Sequence, residues 1–207
     1  MLLTTKTLLL LSVVLVVLSG CEQKPTAHTF GLVHNEVPQL NFPEHYREWV
    51  YLTSGFDMSY GPGSGMADHH MFDNVFVNPE AYAAFWATGT WPDKTELVLE
   101  VRGAQGKGSI NQKGNFQTDV MGVEVHMKDE ARFPGKWAFF AFDGGVKTST
   151  MIPTTAECYS CHAAHAAVDT TFSQFYPTLL PIAKSKGTLS APYLKEMETS
   201  VQEEPHR

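Results

Sequence analysis

The chain has 207 residues, of which 43% are hydrophobic, 12% aromatic and only 18% charged. That composition excludes a disordered or coiled-coil chain and suits a strand-rich globule with an aromatic interior. Once a leader is removed, the length fits one domain with a sizeable core. The formal net charge is −7 and no Lys/Arg cluster interrupts it, so the footprint that a nucleic-acid binder needs is missing.

Residues 1–20 read as a targeting segment: Lys6 gives a positive start, Leu8 to Leu18 is apolar, and Ser19 and Gly20 are small. The apolar run is too short to span a bilayer. Leu18-Ser19-Gly20-Cys21 has the pattern of a bacterial lipoprotein signal, in which Cys21 is lipidated and becomes the new N-terminus. Ordinary secretory cleavage with a free Cys21 is the alternative. Either route exports the chain, and Glu22 after the cysteine leans towards the outer membrane. The expected location is the periplasmic side of a bacterial membrane, held by lipid alone. Residues 21–40 then form the lipidated N-terminus and a polar tether without apolar period.

From Phe42 to Leu52, with Pro43 in the first turn and Tyr46, Trp49, Val50 and Leu52 at near-helical spacing, the pattern predicts an amphipathic helix ending near Gly55. A Gly-rich loop, Ser59 to Gly65, follows. Phe72 to Val77 reads as a strand, after which Asn78 caps a helix with Pro79 at its first position and Glu80 beside the positive end of its dipole. Gly89 closes that helix. Trp91-Pro92-Asp93 turns the chain into a strand over Thr95 to Arg102, with Leu97, Leu99 and Val101 on one face and Glu96, Glu100 and Arg102 on the other. Met121 to Lys128 alternates again, setting Val123, Val125 and Met127 against Glu124, His126 and Lys128. Pro134-Gly135 leads into an aromatic strand, Trp137 to Phe142. Three strands joined by loops, with helices before and after, predict an α+β fold with an antiparallel sheet. The folded domain is placed at residues 41–184. In the remaining tail, 185–207, Tyr193, Leu194 and Met197 have helical spacing, and a docked or a frayed helix both stay open.

The sharpest chemical signal is Cys158-Tyr159-Ser160-Cys161-His162, a C-x-x-C-H haem attachment site. One helical turn puts both thiols where they can add to the two haem vinyl groups, and the next residue presents its imidazole to the iron from the same side. An accidental redox or disulfide pair is the rival reading, but c-type attachment happens outside the cytoplasm, where the leader sends this chain. The three cysteines divide into one lipid site and two thioethers, leaving no thiol for a disulfide or a zinc site. One motif means one covalently attached haem c per chain, with His162 as the iron ligand. His165 lies on that same side and is expected at the surface. His69, His70, His126, Met66, Met121 and Met127 could in principle reach the opposite face; for each, packing or solvent exposure is the expectation.

The order of strand, Asn78-Pro79-Glu80-Ala81-Tyr82 helix, Trp91-Pro92-Asp93 turn, strand, Met127-Lys128-Asp129, Phe133-Pro134, Trp137 strand and late C-x-x-C-H, followed by Asp169 and Phe172, resembles the cytochrome P-460 and cytochrome c-prime-beta family. Class I cytochromes c carry the motif near the start of an all-helical chain, so its late placement argues against them. The resemblance implies a haem packed against an antiparallel sheet in a homodimer, with a five-coordinate iron and an open distal face. P-460 proteins oxidise hydroxylamine with a haem cross-linked to a lysine; the c-prime-beta relatives lack the cross-link and bind nitric oxide or carbon monoxide under an apolar cap. The resemblance puts that lysine just before a glutamate in the strand after the turn, where this chain has Leu99-Glu100. Lys94, Lys107 and Lys113 lie in the turn and the following loop and are expected in solvent.

Leucine at this position favours a gas-binding site, because without a hydrogen-bond donor or base, water and anions bind iron poorly while neutral diatomic gases still bind. Leu99 and Phe76 are the candidates for the distal wall, although alternation alone does not say which face of the Phe76 strand meets the haem. The expected function is binding of nitric oxide or a related small nitrogenous or diatomic ligand. Two alternatives stay open: oxidation of hydroxylamine or nitric oxide with electrons passing to a partner cytochrome, or plain electron transfer through a six-coordinate haem. Glu124 or Glu100 would be the proton acceptor in the first of these, but a solvated outer face is the expected place for both.

Overall fold

The computed structural model describes residues 37–60 and 70–203. The leader, Cys21, most of the tether, Met66 and His69 lie outside the described residues. Phe42 to Leu52 does not form the expected helix. Tyr46–Glu48 makes a single 3-10 turn, and the chain then runs into a strand, β2 (Val50–Phe56). The apolar spacing serves two different cores: Tyr46 packs with Val98, Val125 and Phe140, whereas Leu52 packs with Val77, Leu97 and Phe85. Before it, β1 (Gln39–Asn41) pairs antiparallel with β7 (Thr148–Thr150).

The remaining strands follow the alternation in the sequence. β3 (Met71–Val77), β4 (Glu96–Gln105), β5 (Phe116–Lys128) and β6 (Trp137–Phe142) join β2 in an antiparallel sheet of order β2-β3-β4-β5-β6. Between β3 and β4 lies α1 (Pro79–Thr88). Asn78 precedes it, but its side chain serves the sheet: Oδ1 accepts a hydrogen bond from the Glu96 N–H at 2.9 Å, fixing the start of α1 to β4. Gly89 ends the helix at φ 78°, a left-handed conformation in which a side chain is strained.

Register sorts the sheet's two faces. Val77, Leu97, His126 and Phe139 form one cross-strand row, and Thr53, Val75, Leu99, Glu124 and Ala141 the next on the same face. The other face carries Phe76, Val98, Val125 and Phe140 in one row and Asn74, Glu100, Val123 and Phe142 in another. This second face is closed by Leu40, Phe42, Tyr46, Trp49, Phe133 and Met151.

The first face is covered by helices. Ala81 and Phe85 of α1 pack there with Trp91, Leu179, and Ala183 of α3 (Leu180–Lys186). Further along, α2 (Glu157–His165) faces the sheet across a cavity. The tail segment forms α4 (Ala191–Glu203), capped by Ser190 Oγ, which accepts from the Tyr193 N–H and donates to the Ala166 carbonyl at 2.6 Å. Tyr193 is buried, and Glu196 pairs with the exposed His165 at 3.1 Å. The segment placed in a tail therefore docks on α2. Among the described residues, no helix is long and apolar enough to cross a membrane.

Candidate functional site

The spacing of Cys158, Cys161 and His162 puts all three on one side of α2, and all three line the same cavity of about 660 Å³. No disulfide joins the two cysteines. Burial pushes the Cys158 thiol up. Tyr159, between the two cysteines, fastens the helix to the sheet edge: its hydroxyl donates to the Ile152 carbonyl at 3.0 Å and accepts from the Phe139 N–H at 3.3 Å. Its ring also meets Phe139 edge-on at 4.9 Å.

His162 is held from three directions. Its Nδ1–H donates to the Thr170 carbonyl at 2.7 Å, which fixes the tautomer and leaves Nε2 with a lone pair, the arrangement found for metal-ligating imidazoles. Phe172 lies against the ring at 4.1 Å between centroids, and Phe139 meets it edge-on at 4.7 Å. Burial lowers the pKa of His162, the Thr170 carbonyl acting the other way, so the ring is neutral at pH 7.

The opposite wall is the sheet. Leu99 lines the cavity with Val75 and Val101, while Phe76, expected beside it, does not. Phe76 sits on the other face of β3, edge-on to Tyr46 at 5.6 Å and Tyr51 at 5.8 Å. The physical reason is the cross-strand register, which aligns Val75 with Leu99 and sends Phe76 to the row of Val98. Among the described residues no lysine lines the cavity; Lys94 pairs with the buried Asp129.

The two glutamates differ: Glu124 is exposed, as expected, but on the cavity face, whereas Glu100 departs from expectation. Glu100 is not solvated: it is 2% exposed on the closed face, accepts hydrogen bonds from the Tyr46 hydroxyl at 2.5 Å and Arg47 Nε at 2.8 Å, and pairs with Arg102 at 3.2 Å. Glu124 lies on the cavity face beside Leu99. Its pKa is raised by burial first, and then by Asp143 and Asp73. Asp73, also raised by burial, lines the same cavity.

His126 is in the site but beside His162, not across from it. Its ring stacks on Phe139 at 4.0 Å and meets His162 edge-on at 5.1 Å. Met127 packs on the closed face and Met121 is exposed. His70 lines the cavity and pairs with Asp57 at 2.5 Å. Sequence reasoning missed Met58, Met71 and Asp73 as cavity residues, because nothing in a single strand's alternation shows which face is left uncovered. It also missed Thr170, which acts through its backbone carbonyl and leaves no side-chain signal.

Two thiols one helical turn apart, an imidazole with one nitrogen engaged and one available, and a largely apolar wall fit a haem. Among the described residues no group of three His, Cys, Asp or Glu side chains is placed to hold a bare metal ion. No curated protein matches the chain. The family model described as Cytochrome P460 matches residues 43–173, from the segment that closes the sheet's back face to the residues that buttress His162, and it implies a haem cofactor.

Proposed function

The chain belongs to the cytochrome P460 family, and on that premise we propose that it is an exported, lipid-anchored monohaem cytochrome that binds nitric oxide or a related small ligand. Cys158 and Cys161 would hold one haem c covalently, and His162 would ligate its iron. When bound, the haem would supply an iron able to bind a small ligand. The single observation that carries this reading is the composition of the sheet wall. Leu99, Val75 and Val101 line the cavity, and no lysine does so among the described residues. Such a wall gives anions no cationic partner and leaves room for a small neutral molecule. Export and anchoring through Cys21 rest on the leader pattern, and assembly as a homodimer rests on the family resemblance.

Glu124 favours a second reading, oxidation of hydroxylamine with electrons passing to a partner cytochrome. That oxidation releases protons with its electrons, so it needs an acceptor within reach of the bound substrate. A carboxylate in the cavity with a raised pKa is a better proton acceptor than an ordinary one.

Absorption spectra of the purified full-length protein test the assignment. Broad high-spin bands in the ferric and ferrous states that change on adding nitric oxide are expected. Sharp low-spin ferrous bands would contradict an open site and point to a thioether from Met58 or Met71, both of which line the cavity. Turnover of hydroxylamine with an artificial electron acceptor, abolished in Glu124→Gln, would establish the second reading.

A further inference from the structure

We propose that Trp91 and Lys128 are positioning residues for His162, acting through the tight turn Val168–Thr171 that carries the Thr170 carbonyl. The inference rests on the haem assignment above. Thr170 is the carbonyl to which His162 Nδ1–H donates, so whatever fixes Thr170 sets the strength of that hydrogen bond and the orientation of the ring. The turn is closed by backbone bonds in both directions between Val168 and Thr171, at 2.9 and 3.4 Å. Asp169, its first central residue, is a non-glycine at φ 51°, a conformation that needs outside support.

That support arrives on both sides of Thr170. On one side, Trp91 Nε1–H donates to Thr171 Oγ1 at 2.7 Å, and the Thr171 hydroxyl donates in turn to the Val168 carbonyl at 2.8 Å. On the other, Lys128 Nζ lies 3.5 Å from Asp169 Oδ2. Lys128 Nζ also donates to the Trp91 backbone carbonyl at 2.7 Å and lies 5.6 Å from the centre of the Trp137 ring. The two supports therefore meet at Trp91, which is 2% exposed and packed on Phe85 of α1 at 4.3 Å. The Trp-Pro-Asp turn and the cysteine motif, far apart in the sequence, become parts of one device: a rigid sheet-to-helix corner fixes the carbonyl that fixes the histidine. A firm Nδ1–H bond gives the imidazole more anionic character and makes it a stronger iron ligand.

Resonance Raman spectroscopy of the ferrous holoprotein reads this directly through the iron–histidine stretching band, with the reduction potential as a second readout. Trp91→Phe and Lys128→Met are expected to shift the band down and the potential up. Because Trp91→Phe also opens buried space, Thr171→Val carries the same test with less change in volume, and Thr171→Ser, which keeps the hydroxyl, is expected to restore both values. A wild-type band left in place by Trp91→Phe, Lys128→Met and Thr171→Val in folded, haem-loaded protein overturns the positioning role alone. Absence of an iron–histidine band from the ferrous wild type overturns the open, histidine-ligated site proposed above and the positioning role with it.

Discussion

Glu100 and Glu124 stand on adjacent strands of one sheet but meet opposite surroundings. Glu100 is on the closed face, where burial raises its pKa but hydrogen bonds from Tyr46 and Arg47 outweigh it and bring the net value below 4.5. Its partner Tyr46 is pushed up to about 12, by burial first and then by Glu100. Glu124 faces the cavity, where burial raises its pKa and the neighbouring carboxylates Asp143 and Asp73 add to it. The same carboxyl chemistry therefore gives a fixed charge on one face and a titratable group on the other. One face of the sheet is packed closed, and the other carries the cavity lined by the cysteine motif.

The largest expected effect lies in the closed face. Phe140 is fully buried there, and Phe140→Ala should lower stability by about 3–5 kcal/mol in denaturant unfolding. Leu99→Ala should lose no more than about 2 kcal/mol, since Leu99 is only half-buried by the chain. Equal losses at both positions would break the comparison.

Next comes the pair of glutamates. Glu100→Gln should cost about 2 kcal/mol through lost charge-assisted hydrogen bonds, whereas Glu124→Gln, at an exposed position whose pKa is raised, should be neutral or slightly stabilising. Their pH dependences sharpen the contrast. With its folded pKa below 4.5, Glu100 contributes stability that is present above pH 4.5 and lost as the pH falls through the folded value. With its folded pKa above 4.5, Glu124 works against stability at neutral pH, and that deficit fades as the pH falls through the raised value towards 4.5. Unfolding measured across a pH series for wild type and both variants reads these opposite signs. Leu99→Lys is read by spectra and not by stability: a red-shifted Soret band, with a haem peptide that includes the segment bearing the substitution, would mark this wall as the one that meets the porphyrin.

Much of the sheet was legible because β4 and β5 alternate with period two, β3 and β6 are short apolar or aromatic runs, and α1 carries both Asn78-Pro79 at its start and Gly89 at its end. β2 was not, since Tyr46, Trp49, Val50 and Leu52 span a 3-10 turn and a strand whose combined spacing imitates a helix. The cysteine motif was legible from spacing alone, and the structure brings Cys158, Cys161, His162 and Leu99 to one cavity. The misplacement of Phe76 has a different origin. Alternation divides a strand into two faces, but the choice between them depends on register with β4 and on which face the helices leave open. The burial of Glu100 was hidden for a related reason: its partners Tyr46 and Arg47 are more than fifty residues away.

Peptide mass spectrometry of the purified protein tests the central claim most directly. The peptide containing Cys158, Cys161 and His162 is predicted to carry the mass of one haem with both cysteines modified and no lysine-containing segment attached. Unmodified cysteines, a disulfide between them, or a haem peptide joined to a second segment would contradict the account.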